Sequence, residues 1–130
     1  MNKFSEIIEN KRILIVDDEG FMRIVLSGIV KHIGCKRVLE ARDGKAALAM
    51  LEDGGIDVVF CDWEMPGMSG VELFEKLKES DLLESLKFVM VTGNASAEDV
   101  QKAVAMGIKE YIVKPFNELI IMKKLESFYL

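Results

Sequence analysis

Residues 58–67, VVFCDWEMPG, decide the fold, because a continuous apolar run ends there in a carboxylate and a sharp turn. Four apolar residues in succession predict a strand that is buried on both faces of a sheet. Asp62 follows this strand directly, and Pro66 and Gly67 favour a turn beside it. The earlier stretch RILIVDDEG, residues 12–20, repeats the pattern with two adjacent acids, Asp17 and Asp18. Two predicted strands are therefore followed directly by acidic residues.

The rest of the chain alternates short apolar runs with longer amphipathic segments. The apolar runs predict five strands, at residues 12–16, 37–41, 58–61, 88–91 and 110–113. Strands that alternate with helices predict an α/β fold with a parallel sheet and right-handed crossovers. Because ligand sites in such folds form at the carboxyl ends of the strands, the chemistry is expected in the loops that follow them.

Capping residues predict where the helices begin and end. The expected N-terminal signals are Asp43, Ser69 with Glu72, Ser96 with Asp99, and Asn117, and the expected C-terminal signals are Gly34, Gly54 and Gly107. The first long helix has an apolar stripe between Met22 and Ile33. The residues before Lys11 leave two interpretations open, because Phe4, Ile7 and Ile8 fit either a short packed turn or a frayed end.

Length and charge narrow the class of protein. The 130 residues suit one domain, and a formal net charge of −5 argues against DNA binding. No apolar run is long enough to span a bilayer, and the N-terminus lacks the features of a secretory signal, so we expect a cytoplasmic protein without membrane insertion. Cys35 and Cys61 lack the spacing of a zinc site and are expected to be reduced thiols.

Six side chains stand at or just beyond the ends of the predicted strands: Asp17, Asp18, Asp62, Glu64, Thr92 and Lys114. If the first and third strands are neighbours, three carboxylates converge, and oxygen ligands without histidine or cysteine favour Mg²⁺ over zinc or copper. Thr92 and Lys114 would then hold the oxygens of a phosphoryl group. Because carboxylates are known covalent nucleophiles for phosphoryl groups, the pattern indicates an acid that is phosphorylated beside acids that hold a metal.

This ordered set resembles the receiver domains of two-component response regulators, in particular stand-alone chemotaxis receivers of the CheY type. The resemblance is carried by Asp17 and Asp18, by DWEMPGMSG from Asp62, by Thr92, and by KPF at 114–116. It covers residues 11–130 as the receiver domain and leaves residues 1–10 as an N-terminal extension. It implies one flavodoxin-like (βα)5 domain with parallel strands in the order 2-1-3-4-5 and helices on both faces.

The resemblance also implies a function and a metal site. The protein would be a phosphorylation-activated switch that accepts a phosphoryl group on Asp62 from a histidine kinase. It would catalyse only its own phosphotransfer and dephosphorylation, and so would not be an enzyme in the usual sense. Asp18 and Asp62 would bind Mg²⁺ directly, Asp17 mainly through water, and Glu64 through its backbone carbonyl.

Further roles follow from the same resemblance. Thr92 and Lys114 would contact the phosphoryl group, and the bond between Lys114 and Pro115 would be cis. Tyr111 matches the family's switch aromatic, whose ring moves inward when Thr92 is drawn to the phosphate. Glu64 and Asn94 occupy positions that tune the lifetime of the phosphate. Whether Glu64 pairs with Lys114 or positions the hydrolytic water stays open at this point.

The expected output is contact with another protein. The family's readout face consists of the fourth helix, fifth strand and fifth helix, and Ile120 falls there, outside the apolar stripe of the last helix. We expect no output domain after Leu130 and therefore expect a downstream protein target, such as the flagellar motor switch or another effector.

Three alternative functions remain. A Mg²⁺-dependent phosphohydrolase with an aspartyl nucleophile would carry an acid-x-acid motif after the first strand, whereas the acids here are adjacent. A flavodoxin-type flavin module would need a Ser/Thr/Gly-rich phosphate loop there, and DDEG would repel a phosphate. A phosphorylation-independent interaction module would not need the complete set of acids, threonine and lysine.

Overall fold

A five-stranded parallel sheet with helices on both faces forms the centre of the computed structural model, which describes residues 3–93 and 96–130. The strands are β1 (Arg12–Val16), β2 (Arg37–Ala41), β3 (Val58–Asp62), β4 (Lys87–Thr92) and β5 (Glu110–Val113). The helices are α1 (Lys3–Glu9), α2 (Gly20–Ile33), α3 (Gly44–Glu52), α4 (Gly70–Glu79), α5 (Ala97–Met106) and α6 (Glu118–Tyr129). A 3-10 turn, Leu82–Ser85, precedes β4.

The strand order is β2-β1-β3-β4-β5, which confirms the order implied by the resemblance. All neighbouring strands are parallel. The chain runs from β1 to β2 on one side and returns to β3 on the other, so the order reverses between β1 and β3. Val16 and Cys61 are partners across these two strands, which brings the residues that follow them, Asp17 and Asp62, side by side.

The apolar residues of the sheet face two separate cores. One core lies under α3, α4 and α5 and includes Leu14, Val59 and Met90. The other lies under α2 and α6 and includes Ile13, Phe60 and Val89. β3 is buried along its whole length, as its continuous apolar run predicted.

β3 and β4 each continue one residue further towards the carboxyl end than predicted. Asp62 is in register with Val91 of β4, and the Trp63 amide donates to the Val91 carbonyl at 3.0 Å. The Lys114 amide likewise donates to the carbonyl of Thr92 at 2.7 Å. Asp62 and Thr92 are therefore the last residues of strands rather than the first residues of loops, and the sheet itself fixes their positions.

The helix boundaries agree closely with the capping signals. Side-chain oxygens of Asp43, Ser69, Ser96 and Asn117 accept hydrogen bonds from amides of the first turns of α3, α4, α5 and α6. The reciprocal bond from the Ser69 amide to Glu72 completes the predicted capping box. Gly34 and Gly107 end α2 and α5 with positive φ, whereas α3 ends at Glu52, two residues before Gly54.

Residues 3–9 form a packed helix, which settles the question left open before Lys11. Phe4 and Ile8 are buried in the core under α2 and α6. The Lys36 ammonium lies 2.8 Å from the Glu9 carboxylate, which ties α1 to the segment after α2. Because α1 precedes the five predicted helices, the fourth and fifth of these are α5 and α6. None of the described helices combines the length and apolar character needed to cross a membrane.

Candidate functional site

Three carboxylates converge where β1 and β3 end. One carboxylate oxygen from each of Asp17, Asp18 and Asp62 lies within 4.8 Å of the others. Asp17 and Asp62 are buried, with 6% and 8% of their surface exposed, and Asp18 is exposed. The convergence follows from the topology, because β1 and β3 are adjacent, Asp17 and Asp18 directly follow β1, and Asp62 ends β3. Buried carboxylates at this spacing require a positive partner or a proton.

Lys114 supplies positive charge to the two buried acids. Its Nζ lies 3.4 Å from Asp62 Oδ1 and 3.6 Å from Asp17 Oδ2. The backbone bond to Thr92 fixes the position of Lys114 directly after β5. The peptide bond between Lys114 and Pro115 is cis, as the resemblance implied. Glu64 is exposed, and within residues 3–93 and 96–130 it forms no ion pair. Lys114 therefore pairs with the buried acids in this structure, and not with Glu64.

Electrostatics make Asp62 an unusual acid. Burial and the neighbouring Asp17 carboxylate raise its pKa to about 6, Lys114 acts in the opposite direction, and Asp18 adds a smaller upward effect. The Lys114 ammonium therefore does not fully offset the effects of desolvation and carboxylate repulsion on the pKa of Asp62. A second cation between the acids would relieve both effects.

The remaining predicted residues divide into those that line the cleft and those outside it. Asp62, Glu64, Thr92 and Lys114 line one cleft, together with Glu19, Trp63 and Gly93. Thr92 is buried, with 5% exposed. Tyr111 is 39% exposed on β5 and does not line this cleft. Asn94 lies outside the described residues.

Two further residues support the site, although the sequence alone assigned no role to either. Arg23 Nη1 donates to the carbonyl oxygen of Asp17 at 2.7 Å, and nothing in the helical pattern marks this arginine. Gly70 begins α4 against the end of β3, and a Cβ atom there would lie 2.4 Å from the Asp62 carbonyl oxygen. A glycine directly after the serine cap of a helix is unexpected, because glycine is a poor helix former. Its presence could therefore have indicated a close backbone contact at this position.

The chemistry of the donor set fits a hard divalent cation. The three clustered groups offer carboxylate oxygens, and the buried pair of acids leaves negative charge that Lys114 alone does not balance. Mg²⁺ prefers oxygen ligands, takes few of them from the protein and retains several waters. Asp17, Asp18, Asp62 and the backbone carbonyl of Glu64 are the groups that could hold it.

Comparison with known proteins identifies the class. The model of the response regulator receiver domain family matches residues 13–126. The chain therefore belongs to the response regulator receiver domain family.

Similar proteins include several chemotaxis receivers. Chemotaxis protein CheY-3 of Vibrio cholerae is 37% identical over 121 residues, which cover 93% of each chain. The structure of Vibrio cholerae chemotaxis protein CheY4 has a TM-score of 0.82 at 31% identity and covers 90% of this chain and 97% of that chain. The CheX-CheY-BeF3-Mg+2 complex from Borrelia burgdorferi has a TM-score of 0.83 at 26% identity, with 92% of this chain and 90% of that chain covered.

The family assignment confirms the predicted fold and the predicted class of function. The protein is a phosphorylation-activated switch of a two-component signalling system. Receiver domains are signalling proteins rather than enzymes in the usual sense, bind Mg²⁺ at their aspartate cluster and interact with histidine kinases.

Proposed function

We propose that Asp62 accepts the phosphoryl group, and that Asp17, Asp18, Asp62 and the Glu64 carbonyl hold Mg²⁺ while it does so. The observation that carries this proposal is the convergence of three carboxylates and Lys114 at the ends of three strands. Asp62 is the one acid of the cluster that ends a fully buried strand and contacts Lys114 at 3.4 Å. Its position is fixed by the sheet, as a nucleophile requires.

The proposed chemistry assigns each side chain one task. An Asp62 carboxylate oxygen bonds to phosphorus while the bond from phosphorus to the histidine nitrogen of the kinase breaks. Lys114 and Thr92 donate hydrogen bonds to the phosphoryl oxygens. Bound Mg²⁺ would neutralise charge on the phosphoryl group and on the acids. Asp62 reacts in its ionised form. Positive charge beside it favours that form because it lowers the pKa of the carboxyl group.

The phosphoryl group would then bias an equilibrium between two conformations. An acyl phosphate adds negative charge and acceptor oxygens that recruit Thr92 and Lys114. The backbone bond between these two residues, 2.7 Å long, links the ends of β4 and β5. Tyr111 lies on β5 with its ring partly exposed, a position from which it can move inward. Thr92 and Tyr111 are accordingly the proposed switch residues.

The proposed output surface consists of α5, β5 and α6. Its exposed apolar side chains are Val104, Tyr111, Val113, Leu119 and Ile120. We propose a histidine kinase as phosphodonor and a downstream protein as target, with the flagellar motor switch or another chemotaxis effector as first choices because the similar proteins are chemotaxis receivers. A cytoplasmic setting belongs to the same proposal. So does a receiver domain over residues 11–130, preceded by an N-terminal extension, 1–10, whose helix α1 packs on the core of that domain.

Glu64 and Asn94 are the proposed tuning positions. Glu64 lines the cleft of Asp62 but pairs with no described cation, which favours an effect on the hydrolytic water. We expect changes at either position to alter the dephosphorylation rate more than Mg²⁺ affinity. Single-turnover decay of the labelled phosphoprotein measures this, and equal decay rates in the parent, Glu64→Gln and Asn94→Ala would contradict it.

The test uses Trp63, the single tryptophan of the chain, which lines the same cleft. With Mg²⁺ and beryllofluoride or acetyl phosphate, we expect stoichiometric, metal-dependent quenching of its fluorescence, and one labelled phosphoryl group per chain. Asp62→Asn should abolish the labelling. Labelling that persists in Asp62→Asn would overturn the assignment, continuous turnover of varied phosphoesters would favour a hydrolase, and a chain that never labels would favour a plain interaction module.

A further inference from the structure

We propose that Arg23 is a positioning residue, which holds the loop between β1 and α2 in the shape that lets Asp17 and Asp18 bind the divalent cation. This inference rests on the proposed Mg²⁺ site. It adds to that site a positively charged residue, which is not itself a metal ligand.

The contacts of Arg23 join three elements. From the first turn of α2, its Nη1 donates to the carbonyl oxygen of Asp17 at 2.7 Å. Its Nε lies 3.5 Å from Glu40 Oε1 on β2. The Arg23 side chain is 22% exposed, so it is partly buried rather than free in solvent. Arg23 therefore ties the backbone of a predicted metal ligand to both α2 and the neighbouring strand.

The geometry of the loop depends on this tie. Asp17 accepts a hydrogen bond from the Glu19 amide at its Oδ1, while its Oδ2 faces Lys114 at 3.6 Å. Fixing the Asp17 carbonyl fixes the peptide plane that leads into Asp18, the exposed acid of the cluster. A guanidinium suits this task because its planar fork can meet a carbonyl and a carboxylate at once, whereas an ammonium is a single point charge.

An electrostatic effect of Arg23 and a positioning role for Arg23 predict opposite changes in Mg²⁺ affinity when the residue is replaced. An arginine near an acidic cluster repels a divalent cation, so removal of its charge should tighten Mg²⁺ binding if electrostatics dominate. If Arg23 acts by positioning the loop, its removal should weaken Mg²⁺ binding despite the lost repulsion. Groups that orient metal ligands contribute about 10- to 100-fold to metal affinity.

The experiment compares Arg23→Met, which keeps the aliphatic bulk, with Arg37→Met, which removes the same charge from an exposed position on β2. Mg²⁺ is titrated against Trp63 fluorescence, and the rise in unfolding temperature with Mg²⁺ serves as a second readout. We expect the half-saturating Mg²⁺ concentration to rise about 10-fold in Arg23→Met, with an unchanged signal at saturation. Arg37→Met should match the parent.

Arg23→Lys keeps the net charge and should show a smaller weakening, because one ammonium cannot serve both partners; it also provides the comparison if Arg23→Met unfolds. Unchanged or tighter Mg²⁺ binding in Arg23→Met, or full recovery of affinity in Arg23→Lys, would overturn the positioning role. A parent protein that shows no Mg²⁺ response in either readout would overturn the proposed metal site itself, and with it this inference.

Discussion

The properties of Asp62 come from its neighbours rather than from its residue type. An exposed aspartate would have an ordinary pKa, but burial and the Asp17 carboxylate raise that of Asp62 to about 6. Lys114 offsets part of this effect. The closely spaced carboxylates that make Asp62 costly to ionise also favour the binding of a cation. The raised pKa of Asp62 and the proposed metal binding therefore have the same cause.

Gly70 is predicted to be essential for the shape of the site. In Gly70→Ala the new Cβ would meet the Asp62 carbonyl oxygen at 2.4 Å and Met90 Sδ at 2.9 Å. Backbone cannot yield there without moving β3 or α4, so we expect a loss of roughly 1–3 kcal/mol in the free energy of unfolding and slower phosphorylation. Urea denaturation measures the first and labelling by acetyl phosphate the second.

Gly28 provides the matched control for Gly70. It lies within α2, and a Cβ there would meet no atom within 4 Å. Gly28→Ala should therefore stabilise the protein by about 0.5–1 kcal/mol through helix propensity. Similar losses of stability in both variants would show that contact with Asp62 is not the reason for the glycine at position 70.

At the scale of elements, α1 is an integral part of the structure. Ile8 is fully buried and Phe4 is 6% exposed, both in the core under α2 and α6. The Lys11 amide donates to the Ile8 carbonyl, and Cys35 Sγ lies 3.2 Å from the Lys11 carbonyl oxygen. The helix thus closes the end of the core that lies opposite the acidic cluster.

Ile8→Ala should cost about 2–4 kcal/mol in the free energy of unfolding, the range for large-to-small changes in a core. Ile7→Ala, which changes a partly exposed side chain of the same helix, should cost less. Chemical denaturation measures both variants. Equal and small losses would mean that residues 1–10 are a separable extension without a part in the core.

Two adjacent isoleucines of α6 allow core packing and partner contact to be tested separately. Ile121 is fully buried, whereas Ile120 is 41% exposed on the proposed output surface. Ile120→Asp should leave stability and phosphorylation unchanged but weaken binding to the partner retained by the phosphorylated protein, measured by titration. Ile121→Ala should instead lower stability by about 2–4 kcal/mol. Unchanged partner affinity in Ile120→Asp would remove this residue from the output surface.

At the scale of the whole molecule, stability and the site are linked through protons. The pKa of Asp62 is about 6 in the folded protein against an ordinary value of 3.8. The folded state therefore binds this proton more tightly than the unfolded chain does. In linkage terms, the stability contributed by protonated Asp62 is complete below about pH 4 and is lost as the pH rises towards about 6.

Asp62→Asn removes this penalty. In the presence of a chelator, it should be more stable than the parent by about 3 kcal/mol near neutral pH, and the difference should shrink as the pH falls to about 4. Thermal or urea unfolding at the two pH values measures the difference. Added Mg²⁺ should stabilise the parent more than Asp62→Asn. A stability difference that does not change with pH would contradict the linkage.

Much of the site was predictable because its residues stand at strand ends. The periodicity placed Asp17, Asp62, Thr92 and Lys114 where parallel strands finish, and neighbouring strands in such sheets end at one edge. Arg23 could not be predicted in this way, because its role depends on a carbonyl and on a strand that is distant in the sequence. The sequence shows that residue 64 is an acid close to Asp62. That Glu64 forms no ion pair within the described part of the chain depends on side-chain geometry, which the sequence does not give.

The sequence by itself determined the α/β class, the five strands, the capped helix starts and the acids that follow β1 and β3. These features depend on local chemistry: apolar runs, capping hydroxyls and carboxylates, and glycines with positive φ. Only the tertiary structure decided that residues 3–9 complete the core, that Lys114 pairs with Asp17 and Asp62, and that Gly70 must lack a side chain. The physical reason is distance along the chain, because these contacts join segments that no local pattern relates.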